Sequence, residues 1–135
     1  MTATLESLVG FVLWTLVLVF TYVLMRGVLV LKGQRAANDF PADRPHEGSA
    51  LYHRLMRAHL NCLENLPLYA SVTLTAAVLG ITGLTDPYAW WYLGLRVAQS
   101  TTHIVSTSAV AVTIRATFLL GQYIVLGIMI SKILV

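Results

Sequence analysis

Between Glu6 and Arg26 the chain carries no charged side chain, and the apolar stretch from Leu5 to Leu31 extends for roughly 25 residues. That is enough to cross a hydrocarbon core about 30 Å thick with some tilt. A cleaved signal peptide calls for a basic leading region and a shorter apolar core, so this segment reads as a retained first transmembrane helix. The rest of the chain agrees: of 135 residues, 57% are hydrophobic and only 11% charged, where soluble domains hold roughly 45–50% and 25%. The length leaves room for four or five spans as a single domain over residues 1–135, and excludes a large inverted-repeat transporter or an appended soluble catalytic domain. A lone cysteine, Cys62, excludes an internal disulfide and any multi-cysteine metal site.

Lys32 to Ser49 is dense in turn formers and charges and reads as the one substantial loop. A second apolar segment runs from Leu66 to Leu84, preceded by a polar helical stretch from Tyr52 to Asn65 and ended by Thr85-Asp86-Pro87. The third span begins at the aromatic cluster Tyr88, Trp90, Trp91 and Tyr92, suited to the headgroup level, and reaches Ser106 or Ser108. Ile114 to Val135 forms the fourth, and the fold class is an all-α membrane protein with a four-helix transmembrane bundle. Lys32, Arg35, Arg44, Arg54 and Arg57 gather in and after the first connection, whereas Gly83 to Ala89 has no basic residue. This bias places the first connection in the cytoplasm and both termini on the opposite side, so the net charge of +3 is a topology signal rather than a nucleic-acid patch.

Two polar stripes interrupt the hydrocarbon. At 100° per residue, Arg54, Arg57, Asn61 and Glu64 fall at about 0°, 300°, 340° and 280°, on one helical face. His59, at about 140°, lies off it. On the third span Arg96, Gln99 and His103 share a face at i, i+3 and i+7. Charged groups at membrane depth cost a few kcal/mol each unless paired or hydrated, so both stripes should face the bundle interior or a wet cleft. Two readings stay open for several members. Arg54 to Asn65 can extend into water, Glu64 and Arg96 can form a structural ion pair, and His103 can be a hydrogen-bonded core histidine. The excess of arginine over acid suits an anion with carboxylates, which a guanidinium fork grips in pairs. No zinc-ligand spacing, Gly-rich phosphate loop or nucleophile elbow occurs, so no metal is expected.

The segment from Arg54 to Pro67, Arg54-Leu-Met-Arg57-Ala58-His59-Leu-Asn61-Cys-Leu-Glu64-Asn65-Leu-Pro67, resembles the RxxRAHxNxxExxP signature of the MAPEG family, membrane-associated proteins in eicosanoid and glutathione metabolism. Arg96-Val-Ala-Gln99-Ser-Thr-Thr-His103 resembles the third-helix segment of the family, in the variant associated with bacterial members, and Ile114-Arg115-Ala-Thr-Phe118 the start of the fourth. The resemblance spans essentially the whole chain. It implies a homotrimer in a membrane, the inner one if bacterial, with glutathione as co-substrate at subunit interfaces near the cytoplasmic surface. Arg57, Asn61 and Glu64 would contact it, with Arg54 flanking, Arg35, Arg96 and His103 contributing, and Arg115 beside the thiol. The implied function is a glutathione transferase or peroxidase acting on lipophilic electrophiles or hydroperoxides, with lipid as the surrounding partner and no nucleic acid.

Ala116 stands where the prostaglandin synthase branch has a serine, and His103 where it has a tyrosine, which argues against prostaglandin isomerisation. The alternative from the same fold is a non-catalytic lipid-binding or scaffold protein. A proton-coupled exporter needs an intramembrane carboxylate, and its one candidate, Glu64, lies among arginines. Small residues from Ala70 to Gly80 would let second helices approach closely, and Pro67 predicts a kink near the polar-to-apolar change.

Overall fold

The computed structural model describes residues 1–40 and 49–135. Their regular structure is helical: α1 (Ala3–Leu31), α2 (Ala50–Val78), α3 (Asp86–Val105) and α4 (Ala109–Leu134), with a single 3₁₀ turn at Thr82–Leu84. By length and hydropathy α1 and α4 can each cross a membrane unaided. The polar stripes of α2 and α3 keep those helices below that mark, and they depend on neighbours to cover them. Arg44, counted above among the loop's basic residues, lies outside the described residues.

Helix ends follow local chemistry. Ser49 caps α2 by accepting from the Tyr52 N–H, and Ser108 caps α4 by accepting from Ala111. That cap starts α4 at Ala109, five residues before the Ile114 expected from hydropathy alone. At the other ends, Gly33 (φ 66°) and Gly80 (φ 70°) adopt the left-handed conformation that terminates α1 and α2. Around Gly80, Ile81 N–H donates to Ala76 O at 2.9 Å and Gly80 N–H to Ala77 O at 3.1 Å; Gln34 and Gly33 repeat the pattern on Leu29 and Val30. The second helix therefore stops at Val78 rather than running to Leu84. Pro67 sits inside α2 without ending it.

α1 packs on α2 and α3, α4 packs on α3, and α4 touches α2 only marginally. The three-helix side is welded by rings. Tyr69 of α2 and Tyr92 of α3 stack at 4.0 Å with planes 3° apart, and Phe11 of α1 lies 6.1 Å from each. Ser7 and Tyr69 share a buried hydrogen bond of 2.6 Å. Nearer the other end, the Arg26 guanidinium lies over the rings of Tyr22, Phe40 and Tyr52, each centroid within 5.5 Å, and Nε donates to the Tyr52 hydroxyl. Arg26 thus clamps α1 to the start of α2. Of the small residues on α2, Thr73 and Ala76 are buried within this bundle while Ser71 and Thr75 remain exposed.

At the end away from the long loop, Asp86 Oδ1 accepts from Thr4 N–H at 2.8 Å and from the Thr4 hydroxyl at 2.6 Å, and that hydroxyl also meets Thr85 Oγ1 at 2.8 Å. A carboxylate at the first turn of α3 therefore caps α1 in trans, satisfying an amide that has no partner within its own helix. Asp86→Ala is expected to destabilise the fold by about 1–3 kcal/mol, and Asp86→Asn, which keeps an acceptor, by less. Thermal denaturation of the detergent-solubilised protein, with the two variants side by side, checks both the loss and the order.

Candidate binding cavity

The start of α2, the end of α3 and the start of α4 all reach the same end of the bundle as the long loop. Because α4 leans on α3 and scarcely touches α2, a wedge opens between α2 and α4 with α3 as its floor. It forms a cavity of about 560 Å³ lined by His53, Arg54, Arg57 and Asn61 from α2, Gln99 and His103 from α3, and Val112, Arg115, Ala116 and Leu119 from α4, with Ala50 and Thr107 at the mouth. Such a volume falls within the range of small-molecule sites. From Ala50 to Asn61 the α2 wall descends about 16 Å at 1.5 Å per residue.

Arginine defines its electrostatics. Arg54 and Arg115 are half-buried, Arg57 is exposed, and no carboxylate occurs among the described residues that line the space. The Arg54 Nε atom is buried without a hydrogen-bond partner among the described residues. Its N–H is available to an acceptor brought from outside. Asn61 Nδ2 and His103 Nδ1 lie 3.4 Å apart, linking the two stripes across the α2–α3 seam. The α4 wall supplies apolar surface through Val112, Ala116 and Leu119. A cleft with three guanidiniums, neutral donors and one greasy wall can hold a small polyanion beside an apolar group.

Six of the residues singled out in the sequence therefore converge: Arg54, Arg57, Asn61, Gln99, His103 and Arg115. Three others lie elsewhere in the single chain. Glu64, one turn beyond Asn61, is past the floor of the cavity and exposed on the outer face of α2. Arg35 borders a separate, mainly apolar cavity of about 560 Å³ formed with Leu24, Met25, Val28, Leu29, Gln34, Ser49 and Tyr52.

Arg96 is fully buried, 0% exposed, in the aromatic core. Its guanidinium lies 5.4 Å from the Phe11 centroid and its Nη1 donates to Asn61 O at 3.4 Å, while Nε and Nη2 have no hydrogen-bond partner among the described residues. It makes no ion pair with Glu64. His59 faces away from the stripe as its angle required, against the Tyr22 ring at 5.4 Å. Gln122 escaped the sequence reading. It is fully buried on α4, donating to Gln99 Oε1 at 3.0 Å. An amide side chain seven residues after Arg115, hence on the same helical face, was the signal that could have found it.

The family model of the MAPEG family matches residues 9–135, nearly the whole chain. The chain belongs to the MAPEG family. No curated protein and no solved structure matches it. Membership makes this four-helix arrangement a membrane bundle, and the arginine-lined wedge is the cavity in which the second-helix signature of this MAPEG protein meets its third and fourth helices.

Arg96 is enclosed by the core and does not line the wedge of the single chain. A buried charge with two unfilled donors contributes little net stability, and an apolar replacement of similar length is commonly neutral or better. Arg96→Met is expected to unfold within about 1 kcal/mol of the parent protein, whereas Arg96→Ala, which leaves a void beside Phe11, loses about 2–4 kcal/mol. Equilibrium unfolding in mixed micelles separates these outcomes.

Proposed function

We propose that this MAPEG protein is a membrane-bound glutathione-dependent transferase or peroxidase for lipophilic electrophiles or hydroperoxides. The observation that carries the reading is the set of three arginines, with no acid among the described lining residues, around a cavity of about 560 Å³. Glutathione brings two carboxylates, peptide carbonyls and a thiol, which match guanidiniums, neutral amide donors and an apolar wall in turn. Arg54 and Arg57 take carboxylates, Asn61 and His103 take peptide groups, and Arg115 stands beside the sulfur. The ligand's ammonium needs an acid. Glu64 supplies it in a homotrimer, where the outer face of α2 on one copy meets the cavity of the next, and Arg35 of a neighbour reaches the same ligand.

A free thiol has a pKa near 8.5, so only a few per cent is thiolate at neutral pH. A guanidinium beside the sulfur favours the anion, and its proton leaves to water at the cavity mouth. The thiolate then forms a carbon–sulfur bond with an electrophile arriving from the lipid, and the leaving group departs with its electron pair. With a hydroperoxide, two glutathiones are oxidised to the disulfide while the peroxide is reduced to alcohol and water. The basic residues at the loop end support a cytoplasmic position for that end and for the cavity.

Glutathione binding to the purified protein tests this, with thiolate absorbance and conjugation of an aryl halide followed in the same sample. Arg57→Ala should weaken binding on the order of tenfold to a hundredfold. Arg115→Ala should keep most of the binding and lose the thiolate signal and turnover, and Arg96→Met should change neither. Absence of binding at millimolar glutathione would sink the assignment. Binding without thiolate or turnover in the parent protein would point instead to a lipid-binding or scaffold role.

A further inference from the structure

Gln99 occupies the floor of the cavity, 7% exposed, and the direction of its amide is determined by a residue outside the cavity. Gln122 Nε2 lies 3.0 Å from Phe118 O, 3.4 Å from Leu95 O and 3.0 Å from Gln99 Oε1. Backbone carbonyls only accept, so the nitrogen of Gln122 must be the atom that faces them. A donor in that position forces Gln99 to turn its oxygen toward Gln122, since two amide nitrogens cannot face one another. The Gln99 nitrogen is thereby left without a partner among the described residues, on a side chain more than nine-tenths buried and facing the cavity.

At this depth the cavity changes character. Arg54 and His53 stand toward its mouth, while the floor brings Gln99 together with Ala116 and Leu119, the least polar part of the lining. A ligand whose carboxylates are held by Arg54 and Arg57 lays its least polar group there. In glutathione the carboxylates lie on the two terminal residues, and that group is the thiol side chain of the central cysteine. Resting on the glutathione reading above, we propose that Gln99 is a second donor to the thiolate sulfur, opposite Arg115, and that Gln122 is the positioning residue that holds its N–H₂ toward the ligand. A neutral donor on a charged acceptor in a water-poor site adds selectively to the anion. The thiolate is then stabilised from both the α3 and the α4 walls, and the Gln122 bond keeps the Gln99 oxygen, which would repel sulfur, turned away.

The test is the pH dependence of thiolate absorbance in the glutathione complex of the full-length protein, with the dissociation constant measured on the same samples. Gln99→Met should still bind glutathione, with affinity weakened by no more than about tenfold, and give roughly tenfold less thiolate at neutral pH, seen as an upward shift of the titration midpoint. Gln122→Met frees the Gln99 amide to flip and should give a smaller shift in the same direction. The double variant should match Gln99→Met alone, because Gln122 acts through Gln99; additive shifts would mean an independent structural effect and would overturn the positioning role. Gln99→Glu keeps the acceptor for Gln122, and therefore the local packing, while deleting the donor. It should lose at least as much thiolate, and it serves where a methionine variant fails to fold. Unchanged thiolate in Gln99→Met and Gln99→Glu, with normal binding, would reject this inference and leave the glutathione reading standing. If the parent protein neither binds glutathione nor forms thiolate, both fall together.

Discussion

The guanidinium of Arg96 is the constraint around which the bundle closes. It is fully buried, with one hydrogen bond among the described residues, to Asn61 O, and a ring beneath it. A charge at that depth exposed to lipid would cost several kcal/mol, so α1 must cover the α2–α3 seam, and Phe11 is the residue that does so. Tyr69 and Tyr92 stack on the same seam one to two turns away, which fixes the spacing of α2 and α3. With α1 committed to that side, α4 has only the opposite face of α3 to pack on. The wedge between α2 and α4 follows from this arrangement. The same asymmetry that hides one arginine opens a cavity lined by three others.

Electrostatics sorts the two ends. The caps at the turn end are made by Asp86 and its threonine partners, while the loop end collects Arg26, Lys32, Arg35, Arg54, Arg57 and Arg115. Within a low-dielectric bundle such a concentration raises the potential in the wedge, and an anion entering it meets attraction that solvent screens little. Arg26 differs from the cavity arginines although its charge is the same. Its face is taken by three aromatic rings and its Nε by Tyr52. Partner geometry, rather than charge, separates scaffold from site.

The helical period was enough to read the second-helix stripe and to exclude His59 from it, because those relations depend only on 100° per residue. The i, i+3, i+7 pattern on α3 was equally legible, but its division was not: Gln99 and His103 face the wedge while Arg96 faces the core. Residues on one stripe can meet different neighbours at different depths, and sequence spacing carries no information about where α1 crosses. Helix ends show the same boundary. Hydropathy placed the fourth span at Ile114, and the Ser108 cap begins it a turn and a half earlier. Gln122 was hidden for a third reason, since a single polar residue in an apolar helix acquires meaning only when the backbone carbonyls beside it are known.

Glu64 shows what one chain leaves unfinished. It lies about 21 Å along α2 from the helix start, at 1.5 Å per residue, and is exposed between Leu60, Leu63 and Leu68, all on the outer surface. A lone carboxylate facing lipid is costly, and none of the described residues pairs with it. The outer face of α2 therefore needs a polar complement that the single bundle does not provide. In the proposed homotrimer that complement is the ligand's ammonium group, and its burial links assembly to binding. An acid that is unfavourable in lipid becomes the one negative charge in a cationic site. On that reading, the signature residue that seemed misplaced in the isolated chain is the one that makes the cavity specific for a ligand carrying both signs of charge.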